Sequence, residues 1–272
     1  MPTPALPLTP AIAHRVAGSP LLLVLDIDGT ISPIAPRPDQ AIVPPATQRI
    51  LDELAHTDAV YVAVISGRSV DDARRLVGLA DVWIVGNHGF EIAAPNRSPA
   101  VRGDVSRFLD RLAAASARVS EVAQDKPGVI VEDKRLTLSV HYRLSHPRIV
   151  SGLIAEIATV ARECGLKLTR GKEVLELRPP VEVDKGTAAV ELAQTLGTLR
   201  VGASLFCAGD DRTDEDMFRA LRARQPACVT VHVGGDSATT ETAAEFAVED
   251  TDQMRILLEQ ILEQRRAAVG VR

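Results

Sequence analysis

The stretch Leu21 to Thr30, LLLVLDIDGT, constrains the chain more than any other. Five consecutive apolar residues with no polar alternation describe a strand buried on both faces, as in a parallel sheet covered by helices on either side. The strand runs straight into Asp26 and Asp28, and Gly29 follows at once, so the chain leaves the sheet in a tight turn with both acids at the strand's C-terminal edge. That edge is where open α/β sheets bind ligands. Two carboxylates so placed repel each other unless a cation or a reaction needs them; a solvated acidic turn is the plain alternative.

The same pattern recurs. Val60 to Ile65 is a second apolar strand, ending in Ser66, Gly67 and Arg68, and Ser69 with Asp72 three positions on reads as a capping-box variant opening a helix. Val82 to Val85 is a third strand, followed by Gly86, Asn87, His88 and Gly89. Strand and helix in this alternation predict an α/β fold with a doubly wound, Rossmann-like parallel-sheet core. Between strand and second helix, Ser32 to Pro45 carries five prolines and reads as a stiff loop without helix.

After Glu91 the texture changes. One long helix over 102–123, strands over 129–132 and 136–142, a helix over 147–164 and a hairpin over 166–177 predict an inserted α+β cap domain. The parallel pattern then resumes with a helix capped by Asp184, carrying Lys185 in its first turn and Gly197 beyond its end. Strand Ala203 to Ala208 runs into Asp210, Asp211 and Asp214, with Thr213 expected as the next N-cap. Strands Val229 to Val233 and Phe246 to Val248 and an amphipathic helix over 252–266 follow. The expected division is an N-terminal arm over 1–19, loosely held with a short helix near Ala11 to Val16, a core over 20–97 and 182–272, and a cap over 98–181.

Composition narrows the function. With a net charge of -5 and only 3% aromatic residues, neither a phosphate-tracking groove nor a base-stacking platform is suggested, so no nucleic-acid partner is expected. Cys164, Cys207 and Cys228 are widely spaced with no CxxC pair, and reduced, buried thiols are expected rather than a zinc knuckle. No basic leader and no apolar run long enough for a bilayer are visible, so the expectation is a cytoplasmic monomer with no membrane partner.

Asp26 with Asp28, Ser66, Lys185, and Asp210 with Asp211 and Asp214 thus fall on one sheet edge. Each alone is a weak signal: a lysine in a first helical turn is often solvated, and acids at a helix start often complement its dipole. Together they form a carboxylate cluster without His or Cys, which suits Mg²⁺ rather than zinc. Mg²⁺, a lysine and a small donor meet the needs of phosphoryl transfer. An aspartate can act as nucleophile there, with Asp28 protonating the leaving oxygen and later deprotonating water.

DIDGT, the Ser66 strand end, Lys185 and GDDRTDED resemble, in this order, the four motifs of the haloacid-dehalogenase-like phosphatases. The resemblance implies Asp26 as nucleophile, Asp28 as general acid and base, and Ser66, Gly67 and Lys185 as the phosphoryl-binding group. It implies Mg²⁺ held by Asp26, the backbone carbonyl of Asp28, and Asp210, with Asp214 supporting that shell. DGTISPI, ISGRS, GNHGFE, VEDK, SVHYR, GKEVLELRP and DKGTA narrow the similarity to the trehalose-6-phosphate phosphatase family over about residues 21–250, with Ile31 in place of the usual Leu. By that resemblance Glu132, Lys134 and Glu176 contact the sugar, and Arg143, Lys172 and the Asn87–His88 loop lie near it.

Uncharged hydroxyls are selected by buried charged groups whose hydrogen bonds go unmet by a wrong ligand, a role that Glu132 and Lys134, alternating on one strand face, can fill. An exposed ion pair is the alternative for these two, and a structural turn residue the alternative for His88. The expected substrate is trehalose 6-phosphate. Another sugar phosphate, such as sucrose phosphate or a glucosyl- or mannosyl-glycerate phosphate, and a silent sugar-phosphate sensor are the rivals.

Overall fold

The computed structural model describes residues 3–4, 8–171, 173–234 and 241–269. It divides into two compact units, Met1–Pro99 with Val183–Arg272, and Ala100–Glu182.

In the first unit the Leu21–Leu25 strand lies inside a sheet. Val60–Ile65, Trp83–Gly86 and Glu91–Ala93 follow in turn on one side, and Ser204–Gly209, Val229–Val233, Phe246–Val248 and Thr3–Pro4 on the other. These pairings are parallel except the one between Trp83–Gly86 and Glu91–Ala93. All five residues of Leu21–Leu25 are fully buried, but they serve two separate cores. Leu21, Leu23 and Leu25 pack with Ile12, Leu51, Leu54, Val70 and Leu258, whereas Leu22 and Val24 pack with Ala189, Leu192, Met217 and Phe218 on the opposite face. Each such side chain contributes roughly 1.5–3 kcal/mol of burial, so a strand with leucine and valine on both faces has only the sheet centre as its stable place.

The second unit carries an antiparallel sheet in the order Ile130–Asp133, Leu138–His141, Val174–Arg178, Lys167–Gly171. Leu138, Val140, Leu175 and Leu177 turn one face toward Leu112, Ala115 and Val119 of helix Leu109–Ala123 and toward Leu153 and Ile157 of helix Pro147–Glu163. The alternation of these strands places Glu132, Ser139, His141 and Glu176 on the other face.

Several expectations are corrected. The arm over 1–19 is not loosely held where it is described beyond Leu8: helix Pro10–Arg15 buries Ile12, Val16 beside it is also fully buried, and Arg265 donates to the carbonyls of Val16, Ala17 and Gly18. The i, i+4 spacing of Ile12 and Val16 places both on one side of that turn. Within the proline-rich loop, Pro38–Gln40 forms one 3₁₀ turn, because a proline can begin a helix even where it cannot continue one. The expected helix over 102–123 is two, Gly103–Ser106 and Leu109–Ala123. Glu91–Ala93 is an additional strand, antiparallel to Trp83–Gly86. Cys207 and Cys228 are buried as expected, while Cys164 is only partly so, and all three thiols are free. Among the described residues no helix is long and apolar enough to cross a membrane.

Candidate active site

Asp26 leaves the central strand with its backbone N–H bonded to the Ala208 carbonyl at 3.0 Å, which ties it to the neighbouring strand end. From there its side chain meets Lys185. The Lys185 Nζ donates to Asp26 Oδ1 at 2.7 Å and to Asp214 Oδ1 at 2.8 Å, and all three groups are at most 4% exposed. Lys185 is delivered by the start of helix Lys185–Thr195, where Asp184 accepts from the Thr187 N–H and Thr187 returns the bond, a complete capping box. Asp214 is delivered by the next helix, Arg212–Arg224. Its N-cap is Asp211, not the expected Thr213: Asp211 accepts from the Thr213 and Asp214 amides and from the Thr213 hydroxyl. Asp214 Oδ2 in turn accepts from the Asp210 and Asp211 amides at 3.0 and 3.1 Å, which fixes the turn that carries Asp210.

Gly29 explains how Asp210 comes so near the central strand. It sits at φ +91°, and a Cβ there would lie 2.1 Å from Asp210 Oδ2, so both the backbone and the space require glycine. A Gly29→Ala variant is expected to lose about 1–3 kcal/mol from overpacking against this carboxylate. Thermal unfolding and metal affinity measured together should both decline, since the displaced group is Asp210.

Carboxylate oxygens of Asp26, Asp210 and Asp214 lie within 4.8 Å of one another. Burial first, and the neighbouring carboxylates of Asp214 and Asp210 next, hold Asp26 well above the usual carboxylate range, with Lys185 opposing them. Asp210 is pushed up to about 8 by burial and by Asp214 and Asp211, and Asp214 to about 6 by burial against the pull of Lys185. Burial would lower the Lys185 ammonium, but Asp214 and Asp26 outweigh it and hold it up. Asp26 and Asp214 are buried and Asp210 half-buried, and one ammonium among them offsets their mutual repulsion only in part. The donor set is all oxygen, so it fits a hard divalent cation, which would relieve that repulsion.

Asp28 is not part of this cluster. Its carboxylate is held by Arg68, which donates from Nε to Oδ2 and from Nη2 to Oδ1, both at 2.7 Å. Ser66 is buried and accepts the Arg68 amide on Oγ at 3.2 Å. The strand ends carrying Ser66 and Asn87 are laced together by the Asn87 amide on the Arg68 carbonyl and the His88 amide on the Ser66 carbonyl. A Cβ on Gly67 would lie 2.6 Å from His88 Nε2, so Gly67 is small because the imidazole covers it. Asn87 and His88 both adopt positive φ, at 49° and 56°. The Asn87 side chain donates to Glu91 Oε1 at 2.7 Å, an oxygen that also accepts the Val70 amide at 2.8 Å. Asn87 therefore anchors its loop, and Glu91 is the anchor.

The second unit assembles Glu132, Lys134 and Glu176. Lys134 Nζ stands 3.8 Å from Glu132 Oε2 and 3.8 Å from Glu176 Oε1, and its side chain is only 10% exposed, which is not the geometry of a surface ion pair. Lys134 lies just past the end of strand Ile130–Asp133 rather than within it. His141 Nε2 lies 3.0 Å from Glu132 Oε2, and Arg143 donates to Glu173 at 2.8 Å. Lys172 lies outside the described residues. Arg68, Glu91 and His141 are the members of these clusters that sequence reasoning missed. For Arg68 the available signal was a cation directly after Ser66-Gly67, at the same edge as two acids.

The sequence pattern of the trehalose-phosphatases matches residues 24–252. Among curated proteins, a probable trehalose-phosphate phosphatase 4 of Oryza sativa subsp. japonica is 34% identical over 94% of this chain and 69% of its own length. A trehalose-phosphate phosphatase of Mycobacterium avium is 34% identical over 95% of this chain and 66% of its own. A crystal structure of a trehalose-6-phosphate phosphatase related protein superimposes with a TM-score of 0.78 at 27% identity, over 92% of this chain and all of that one. With strand-end carboxylates, lysine and cap cluster placed as described, and with the match running through core and cap alike, this chain belongs to the trehalose-phosphatase family of phosphoric monoester hydrolases.

Proposed function

We propose that this chain hydrolyses trehalose 6-phosphate to trehalose and phosphate through an aspartyl-phosphate on Asp26, with Mg²⁺ held by Asp26, the Asp28 backbone carbonyl and Asp210, and Asp214 supporting that shell. The observation that carries the reading is the buried Lys185 bridging Asp26 and Asp214, beside Asp210. When bound, Mg²⁺ supplies positive charge to the transferring phosphoryl oxygens. Lys185 opposes the upward shift of Asp26 and adds a fixed positive charge to the phosphoryl site, where Ser66 Oγ and the Gly67 backbone contribute donors.

Asp26 attacks phosphorus, and Asp28 gives a proton to the departing sugar oxygen. Asp28 then takes a proton from the water that cleaves the acyl phosphate. Sugar discrimination is assigned to Glu132, Lys134 and Glu176, because a ligand lacking the matching hydroxyls leaves their partly buried charges without replacement for water. Arg143, Lys172 and the Asn87–His88 loop complete the proposed sugar-binding set.

The test is phosphate release from trehalose 6-phosphate, sucrose phosphate and glucosyl- and mannosyl-glycerate phosphates, each with Mg²⁺ and with EDTA. Trehalose 6-phosphate is expected to give the highest kcat/KM, and EDTA to abolish release from every ester. Preference for another sugar phosphate would contradict the substrate assignment. Silence toward all four would favour a sensor.

A further inference from the structure

Arg68 is a buried cation whose guanidinium makes four hydrogen bonds. Beyond its two contacts with Asp28, Nη1 donates to Asp72 Oδ2 at 2.6 Å, and Nη2 also donates to the Pro38 carbonyl at 3.1 Å. The Arg68 side chain is 8% exposed, against 35% for that of Asp28. Asp72 belongs to the first turn of helix Val70–Val77, so the guanidinium is clamped from the side away from Asp28. The fork is therefore a rigid seat, and Asp28 is the partner with room to move.

Both Asp28 oxygens are held, each by one N–H at 2.7 Å. Oδ2 accepts the N–H of Nε, and Oδ1 accepts one N–H of Nη2, whose other N–H goes to the Pro38 carbonyl. If Asp28 left the fork, one N–H on Nε and one on Nη2 would be stranded in a buried site, at a cost of about 1–3 kcal/mol each. We propose that Arg68 is the positioning residue for Asp28, fixing the orientation of the carboxyl group that carries the proton. This deepens the proposed phosphatase reading and rests on it. In the first step the bond from phosphorus to the sugar oxygen breaks as the bond to Asp26 forms, and the proton on the Asp28 carboxyl goes to the sugar oxygen. In the second, water bonds to phosphorus, the acyl phosphate breaks, and the water's proton returns to the Asp28 carboxylate.

A sugar alkoxide needs that proton in order to leave, and a p-nitrophenolate does not. In Arg68→Gln, kcat/KM for the best sugar phosphate of the panel should fall about 100-fold, a typical contribution of a placed general acid, while kcat/KM for p-nitrophenyl phosphate stays within about threefold of the unaltered enzyme. Arg68→Lys, which keeps the charge but not the two-point attachment, should fall between on the sugar ester and still spare the aryl ester. A parallel fall with both esters, in either variant, would overturn the assignment and make Arg68 a structural or phosphate-binding group. No fall with the sugar ester would overturn it equally. If the unaltered enzyme prefers a sugar phosphate other than trehalose 6-phosphate, the substrate reading fails while the comparison of leaving groups still decides the role of Arg68.

Discussion

Asp26→Asn is expected to lower kcat for phosphate release from trehalose 6-phosphate by about 10⁴-fold or more, the scale seen when a covalent catalyst loses its nucleophile. The fold should survive this change. Asn retains an oxygen to accept from Lys185 Nζ, which keeps Asp214 at 2.8 Å. The substitution also removes one of three mutually repelling carboxylates. The thermal midpoint without metal should therefore lie close to that of the unaltered protein, and calorimetry in EDTA checks this directly. A large drop in midpoint would mean that lost activity reports lost structure.

Lys185→Met should behave in the opposite way. Its ammonium is 3% exposed and is the cation hydrogen-bonded to both Asp26 and Asp214. Removing it leaves buried carboxylates uncompensated, which costs about 3–5 kcal/mol in comparable buried pairs. Activity should be lost along with the stability. Because a divalent cation at the same carboxylates would offset part of the repulsion, added Mg²⁺ should raise the midpoint of Lys185→Met by more than that of the unaltered protein. Unfolding curves of both proteins, in Mg²⁺ and in EDTA, give the comparison. Equal metal shifts would mean that Lys185 and the cation do not share these carboxylates.

These contrasts rest on features of unequal legibility. The central strand could be read from five residues because a run such as LLLVL can only be satisfied where both faces are covered, and the two cores divide it residue by residue. Asp184 was readable as a cap because a short acceptor before a helical pattern does one local thing well. Where two residues could do the same job, sequence could not choose: Asp211 and Thr213 both make caps, and the carboxylate two residues earlier took the amides. The break at Arg107 and Phe108 carries neither glycine nor proline, so nothing local marks it. Glu91 looked like the end of a pattern, although its carboxylate organises the Asn87 loop from within a further short strand.

Arg68 illustrates the same limit at the active site. Its partners are 40 and 30 residues away in sequence as well as four, and only the tertiary fold shows that Asp28, Pro38 and Asp72 converge on one guanidinium. The acids of the site were visible because strand ends announce themselves. What each acid touches was not, and that is why Asp26 and Asp28, two positions apart, turn out to have separate partners, Lys185 for one and Arg68 for the other.

The covalent role of Asp26 is tested most directly by acid-quenching the enzyme during turnover of trehalose 6-phosphate with Mg²⁺ and mapping the phosphorylated peptide by mass spectrometry. The account predicts a base-labile phosphoryl group on Asp26, absent from Asp26→Asn. Turnover with no trapped phosphoryl group, or a phosphoryl group on another residue, would contradict it.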